Sequence, residues 1–242
     1  MRVCTSFSAV GYQVYGKRFL ESFRWHAPDD ELWVFYEGAK PDIPGCVYID
    51  LEADKDRKRF LRDHGNRAYA NGLYRSPKGM AVDYRFQAIR FAHKVFAMSY
   101  PDRPRDANWV WCDADVIVRG NLDEEFWSEA CPEGFVCSYL GRKDWDHSET
   151  GWLAFTERYH GHEFIDELRK IYVSDDIFKL RAFTDSFAFD HLRQKWEATE
   201  QHMFCNLAKG IGGNHVWPDT VLGSKLVHNK GPEAKRLAYA AV

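Results

Sequence analysis

The sequence predicts an α/β fold in which a sheet is flanked by helices. Three observations carry that expectation. The first fifty residues alternate strand, helix, strand, strand. Trp109–Cys112 is a continuous apolar run of the kind that fills a buried central strand. Stretches with apolar residues at helical spacing recur along the rest of the chain.

Arg2–Ser6 reads as the first strand, and Gly11 and Gly16 mark a loop after it. Lys17–His26 sets Phe19, Leu20 and Phe23 at helical spacing, and Pro28-Asp29-Asp30 stops that helix. Leu32–Tyr36 and Val47–Leu51 are the next strands. Arg62–Gly79 is rich in Gly, Asn and Pro, so Lys55–Lys78 as a whole reads as strand-end and loop sequence. Met80–Met98 turns helical. Phe86, Ile89, Ala92, Val95 and Phe96 form its apolar stripe, while Asp83, Gln87, Arg90 and Lys94 fall on another face. Pro101 and Pro104 end it. The strand Trp109–Cys112 leads into Asp113-Ala114-Asp115 and then Val116–Val118. Glu149-Thr150-Gly151 reads as a polar loop entering the apolar strand Trp152–Phe155. Arg158–Tyr172 is helical, and Thr184-Asp185-Ser186 caps a helix through Trp196. Gly210–Gly213 and Trp217-Pro218 are loop, and Lys225–Val227 is a short strand before His228-Asn229-Lys230-Gly231-Pro232.

Composition excludes several classes. Hydrophobic residues make up 45% of the 242 and aromatics 16%, which excludes a disordered or collagen-like chain. No secretory leader is visible at the start, and no run approaches the ~20 apolar residues of a membrane span. The six cysteines are scattered without a Cys-x-x-Cys pair, so neither a zinc site nor a disulfide framework is expected. A reduced, cytoplasmic protein is the expectation. The formal charge of −3 hides an asymmetry. Lys55–Lys94 holds eleven Lys/Arg and three acids, a net +8, which leaves −11 for the remainder. One basic segment in an acidic protein points to a local anionic ligand.

Asp113-Ala114-Asp115 is the sharpest chemical signal. In extended chain the residues at i and i+2 point to one side, so both carboxylates can face one cation. At the end of a buried strand they sit where open α/β sheets bind ligands, and two hard oxygen donors suit Mn²⁺ or Mg²⁺. The alternative is a polar strand end. His228 offers an imidazole that fits Mn²⁺. Lys230 would hold a phosphate, and Gly231 would let the backbone approach it; the alternative is an exposed tail. Asp185 is either a plain helix cap or a carboxylate that holds a sugar hydroxyl or acts as a base, and Glu149 is a similar candidate. Arg90 and Lys94 would pair with the acids or with a diphosphate, or lie on a solvated face. Tyr159-His160-Gly161-His162 reads as loop.

In this order the pieces resemble the GT-A nucleotide-sugar glycosyltransferases, and within them glycosyltransferase family 8, the glycogenin and lipopolysaccharide galactosyltransferase type. The strand Trp109–Val118 with its Asp-x-Asp follows an Arg/Lys-bearing helix. Thr184-Asp185-Ser186 matches the sugar-binding turn, with Asp-Ser where the family has Asp-Gln. His228–Pro232 matches a contracted form of the late His-x-x-Gly-x-Lys-Pro-Trp motif. Tyr12–Phe23 and Tyr84–Ala97 are also similar to segments shared by a group of phage and bacterial proteins.

The resemblance implies a single GT-A (Rossmann-like) domain over residues 1–242 with a mixed central sheet. Residues 1–120 would bind nucleotide, and 121–242 would bind sugar and acceptor. It implies transfer from a nucleoside-diphosphate sugar, a UDP-sugar favoured, to an acceptor hydroxyl. Asp113, Asp115 and His228 would hold Mn²⁺ or Mg²⁺. Thr5, Ser6, Phe7, Arg90, Lys94, Asp113, Lys230 and Gly231 would bind the donor, and Glu149 and Asp185 would be catalytic. The basic segment, with Arg62, Arg67, Tyr69, Tyr74, Arg75 and Lys78, would grip the acceptor. That acceptor is a hydroxymethylated pyrimidine in phage DNA, acted on in the host cytosol, or else a glycan. Two other classes stay open: a metal-dependent nucleotidyltransferase or phosphohydrolase, and a non-catalytic nucleic-acid-binding module.

Overall fold

The computed structural model describes residues 1–199 and 203–231; Pro232 of the late motif lies outside them. The chain is α/β, with a seven-stranded mixed sheet between helices. Its strands are β1 (Arg2–Phe7), β2 (Glu31–Tyr36), β3 (Cys46–Asp50), β6 (Trp109–Cys112), β8 (Cys137–Leu140), β9 (Glu149–Phe155) and β10 (Phe204–Asn206). Their order is β10-β8-β9-β6-β1-β2-β3. All neighbours run parallel except at β9, which is antiparallel to both β6 and β8. Two smaller pairs stand apart: the hairpin β4 (Leu73–Ser76) with β5 (Gly79–Val82), and β7 (Val116–Val118) with β11 (Leu226–His228).

The period of two explains why the central strands are apolar on every residue. Along β6, Trp109 and Trp111 join one core, and Val110 and Cys112 join the other. On β9, Leu153 and Phe155 face the first core, and Trp152 and Ala154 the second. The first core is closed by α3 (Lys55–His64), α4 (Ala88–Met98), α6 (Gly161–Val173) and α7 (Asp185–Glu197). The second is closed by α2 (Lys17–His26) and α5 (Glu124–Ala130), with α1 (Ala9–Gly11) leading in from β1. All six cysteines are free, and burial pushes the Cys4, Cys112 and Cys137 thiols well up, so they pack as small hydrophobes.

Several expected elements are placed differently. Gly11 and Gly16 lie in helical turns, not a loop: α1 passes through a π-turn at Tyr12–Gly16 into α2. Their missing side chains serve packing, since a Cβ on Gly16 would sit 2.8 Å from the Phe7 ring. Lys55–His64 is a helix, capped by Asp54, whose carboxylate accepts from Arg57 N–H at 3.0 Å. Its inward residues include Arg57 and His64 beside Phe60, so no apolar stripe is visible in the sequence. Arg57 pairs with Glu37, so this part of the basic segment is structural. Met80–Val82 pairs with Leu73–Arg75, and α4 starts at Ala88; Phe86 lies before it, in a 3₁₀ turn that packs on Phe183. Glu149, Thr150 and Gly151 are buried residues of β9. The cap of α7 is Thr184, whose hydroxyl accepts from Phe187 N–H at 3.2 Å, which leaves the Asp185 carboxylate free for other partners.

Candidate metal and donor site

Asp113, Ala114 and Asp115 form the turn between β6 and β7 and are not extended. Two strand pairings hold that turn. Asp113 N–H donates to the Gly151 carbonyl of β9 at 2.9 Å. The Asn229 backbone and side-chain N–H groups donate to the Asp115 carbonyl at 2.9 and 3.2 Å. The antiparallel register of β11 sets His228 opposite Val116. Residues far apart in sequence therefore converge. One ligand atom from each of Asp113, Asp115 and His228 lies within 4.8 Å of the others.

His228 is buried between two acids. Its Nε2 lies 3.2 Å from Asp115 Oδ1, and its Nδ1 lies 3.2 Å from Glu149 Oε1. Burial lowers the proton affinity of the imidazole, but the two carboxylates outweigh it and raise the pKa to about 9. Glu149 Oε1 also meets His215 Nδ1 and Lys230 Nζ, each at 3.2 Å, while Oε2 accepts from Val216 N–H at 3.3 Å. Burial opposes ionisation of Glu149, but the two histidines and Lys230 hold its carboxyl well below the usual carboxylate range. Gly151 stands against this cluster, where a Cβ would lie 3.2 Å from the His228 ring and 3.3 Å from Asp113 Oδ2.

On the opposite side Lys94 is enclosed by acceptors. Its ammonium reaches Asp113 Oδ1 and Asp185 Oδ2 at 2.9 Å each and the Thr150 carbonyl at 2.5 Å. Burial disfavours its charge, but the two carboxylates prevail and raise its pKa. Asp185 Oδ2 also accepts from the Thr150 hydroxyl at 2.7 Å. Burial raises the Asp185 pKa, yet Lys94 and Thr150 more than offset this and hold the carboxyl low.

Asp113, Asp115, Glu149, His228, Lys230, Lys94, Thr150 and Asp185 line one cleft of about 780 Å³, together with Arg90, Arg142, Trp145 and Gly231. The donor set fits a hard or borderline divalent cation. Two carboxylates and one imidazole suit Mn²⁺ or Mg²⁺, and donors sharing one such ion stand up to ~4.2 Å apart, within a small side-chain rotation of this arrangement. Glu149, His215 and His228 form a second cluster of donors, but there Lys230 already supplies a cation.

The expected residues divide by place. Asp113, Asp115, Glu149, Asp185, His228, Arg90, Lys94, Lys230 and Gly231 all line the cleft. Thr5 and Phe7 are buried within the layers, because β1 is covered on both faces, and β1 contributes none of the described lining. Arg62, Arg67, Tyr69, Tyr74, Arg75 and Lys78 lie outside the described cleft lining, on α3, the turn after it and the hairpin. His162 of the Tyr159–His162 segment is buried against the Ala107 carbonyl at 3.0 Å. Arg142 and His215 join the site without any signal in the sequence. Neither stands in a motif; each is brought in by a long-range loop contact, Arg142 Nη1 to Asn214 Oδ1 at 3.1 Å and His215 to Glu149.

No family model matches the sequence, and no curated protein matches it. Solved structures do match its fold. The apo form of mouse xyloside xylosyltransferase 1 aligns over 95% of this chain and 97% of its own, with 10% identity and a TM-score of 0.52. An active-site mutant of LgtC aligns over 96% of this chain and 88% of its own, with 12% identity and a TM-score of 0.53. The fold is that of the GT-A glycosyltransferases.

Proposed function

We propose that this chain is a metal-dependent glycosyltransferase of the family 8 type. In this reading it moves a sugar from a nucleoside-diphosphate sugar to an acceptor hydroxyl. The observation that carries the proposal is the convergence of Asp113, Asp115 and His228 in one cleft of a GT-A fold, with Lys94 and Asp185 beside them. Asp113, Asp115 and His228 would hold Mn²⁺ or Mg²⁺, which when bound would supply positive charge against the departing diphosphate. Lys230 and Arg90 add fixed positive charge along the cleft wall, and Gly231, with φ of 91°, lets the backbone approach the phosphates. Residues 1–120 supply Lys94, Asp113 and Asp115, and 121–242 supply the sugar side. A UDP-sugar is the favoured donor.

Lys94 has its three N–H donors on protein partners, so it positions Asp113 and Asp185 and does not grip the diphosphate directly. Neither candidate base is suited to that role. The Asp185 and Glu149 carboxyls are both held low by neighbouring cations, whereas a general base works best with a pKa near the working pH. Asp185, held beside Lys94 in the cleft, would contact the sugar. Glu149 instead positions His228: with Nδ1 turned to Glu149, Nε2 faces Asp115. Glu149→Ala is expected to weaken Mn²⁺ binding by about 10–100-fold. Glu149→Gln, which still accepts at Nδ1, should restore much of it. Isothermal calorimetry with Mn²⁺ checks both variants.

For the acceptor, a hydroxymethylated pyrimidine in DNA and a glycan are the two classes. The exposed Arg62 and Arg67 support the first, and the exposed Trp145 at the cleft supports the second. The test is a nucleotide-sugar panel with Mn²⁺, read by nucleoside diphosphate release, with hydroxymethylated DNA or glycans added. Donor-specific release that a chelator stops supports the proposal. No release from any donor, with Mn²⁺ bound, overturns it.

A further inference from the structure

The hairpin carries an exposed apolar face that the cleft chemistry does not use. The register Leu73↔Val82 and Arg75↔Met80 sets these four side chains on one face. Met80 is 67% exposed, Val82 55% and Leu73 40%, and Tyr74 on the other face is 51% exposed. Val82 and Met80 sit on a two-stranded ribbon, which is marginally stable unless packed. An apolar stretch left in water on such a ribbon marks an interaction surface.

The charges around it identify the partner. Between Arg67 and Val82 the segment holds Arg67, Arg75 and Lys78 and no acid, and all three cations are exposed. The nearest acids in sequence have partners: Asp63 pairs with Arg62 and Asp83 with Arg85. Asp175 is likewise taken, 3.0 Å from His64 Nε2. A basic turn beside exposed aliphatic and Tyr side chains matches an anionic bilayer, whose headgroups take the cations and whose acyl boundary takes Leu73, Met80 and Val82. A nucleic acid would reward the cations and the tyrosines but gains nothing from Met80 and Val82. The hairpin is rooted where Asp83 N–H donates to the Gly72 carbonyl at 2.8 Å, one residue before Tyr84, which lines the cleft.

We propose that the β4–β5 hairpin is a docking element for an anionic membrane surface, with Leu73, Met80 and Val82 inserted and Arg75 and Lys78 at the headgroups. The docking stands independently of the sugar-transfer reading. The experiment is sedimentation of the full chain with phosphatidylcholine vesicles that contain phosphatidylglycerol, against pure phosphatidylcholine, with single-stranded DNA binding measured in parallel. Binding to the mixed vesicles is expected, falling with added salt. Met80→Ser/Val82→Ser should lower partitioning at least tenfold, while its donor hydrolysis stays at the parent rate. Removing the two charges as Arg75→Gln/Lys78→Gln should lower it by roughly 25-fold, about fivefold for each charge. Absence of vesicle binding at low salt overturns the proposal. So does unchanged partitioning of the Met80→Ser/Val82→Ser variant. DNA binding lost in Arg75→Gln/Lys78→Gln, with vesicles ignored by the parent, assigns the surface to nucleic acid and also overturns it.

Discussion

Asp115→Asn is expected to lower kcat/KM for nucleotide-sugar turnover by roughly 10³-fold while the fold survives. The size follows from the chemistry assigned to the site: stabilising a departing diphosphate by a held cation is worth several kcal/mol. Survival follows from the shape of the change. Asn fills the Asp115 volume and keeps the carbonyl that accepts the two Asn229 N–H bonds. The informative measurement is unfolding with and without Mn²⁺. A bound ligand at about a hundred times its Kd adds about 2.7 kcal/mol to the parent, and Asp115→Asn should lose that increment while matching the parent in chelator.

Lys94→Met is the second large effect, and it falls on stability as well as activity. The substitution keeps an unbranched side chain on α4 but leaves Asp113 and Asp185 facing each other across a vacated ammonium position. Breaking a buried ion pair on one side costs about 3–5 kcal/mol. For a chain of this length that lowers Tm by roughly 10 °C. Because Asp113 also belongs to the proposed cation set, saturating Mn²⁺ should return part of the loss in this variant. Thermal unfolding with and without Mn²⁺ reads both effects. A drop in Tm that Mn²⁺ leaves untouched would separate the Lys94 network from the metal site.

Much of the site was legible because a long apolar strand frames it. Trp109–Cys112 reads as a buried strand, so the acids that follow stand out, and His228 ends a short strand of its own. Where expectation and structure part, polar residues do buried work. Lys55–His64 hides its helical period because Arg57 and His64 share its inward face with Phe60. Glu149 reads as loop because an acid is rarely buried alone, and its partners His215, His228 and Lys230 come from more than sixty residues away. The hairpin was obscured by the strong helical stripe of α4 that follows it. The Cα partners Leu73↔Val82 and Arg75↔Met80 give it away only once the strands are seen together.

The central claim is that bond cleavage occurs at the sugar carbon and not at phosphorus. Hydrolysis of the accepted nucleotide-sugar in heavy-oxygen water, without acceptor and with Mn²⁺, tests it directly by mass spectrometry. Attack at the anomeric carbon places the label in the released sugar and leaves an unlabelled nucleoside diphosphate, and that is the result expected here. Label in the nucleoside diphosphate, or in nucleoside monophosphate or sugar phosphate, would assign the same acids to phosphoryl chemistry and contradict the account.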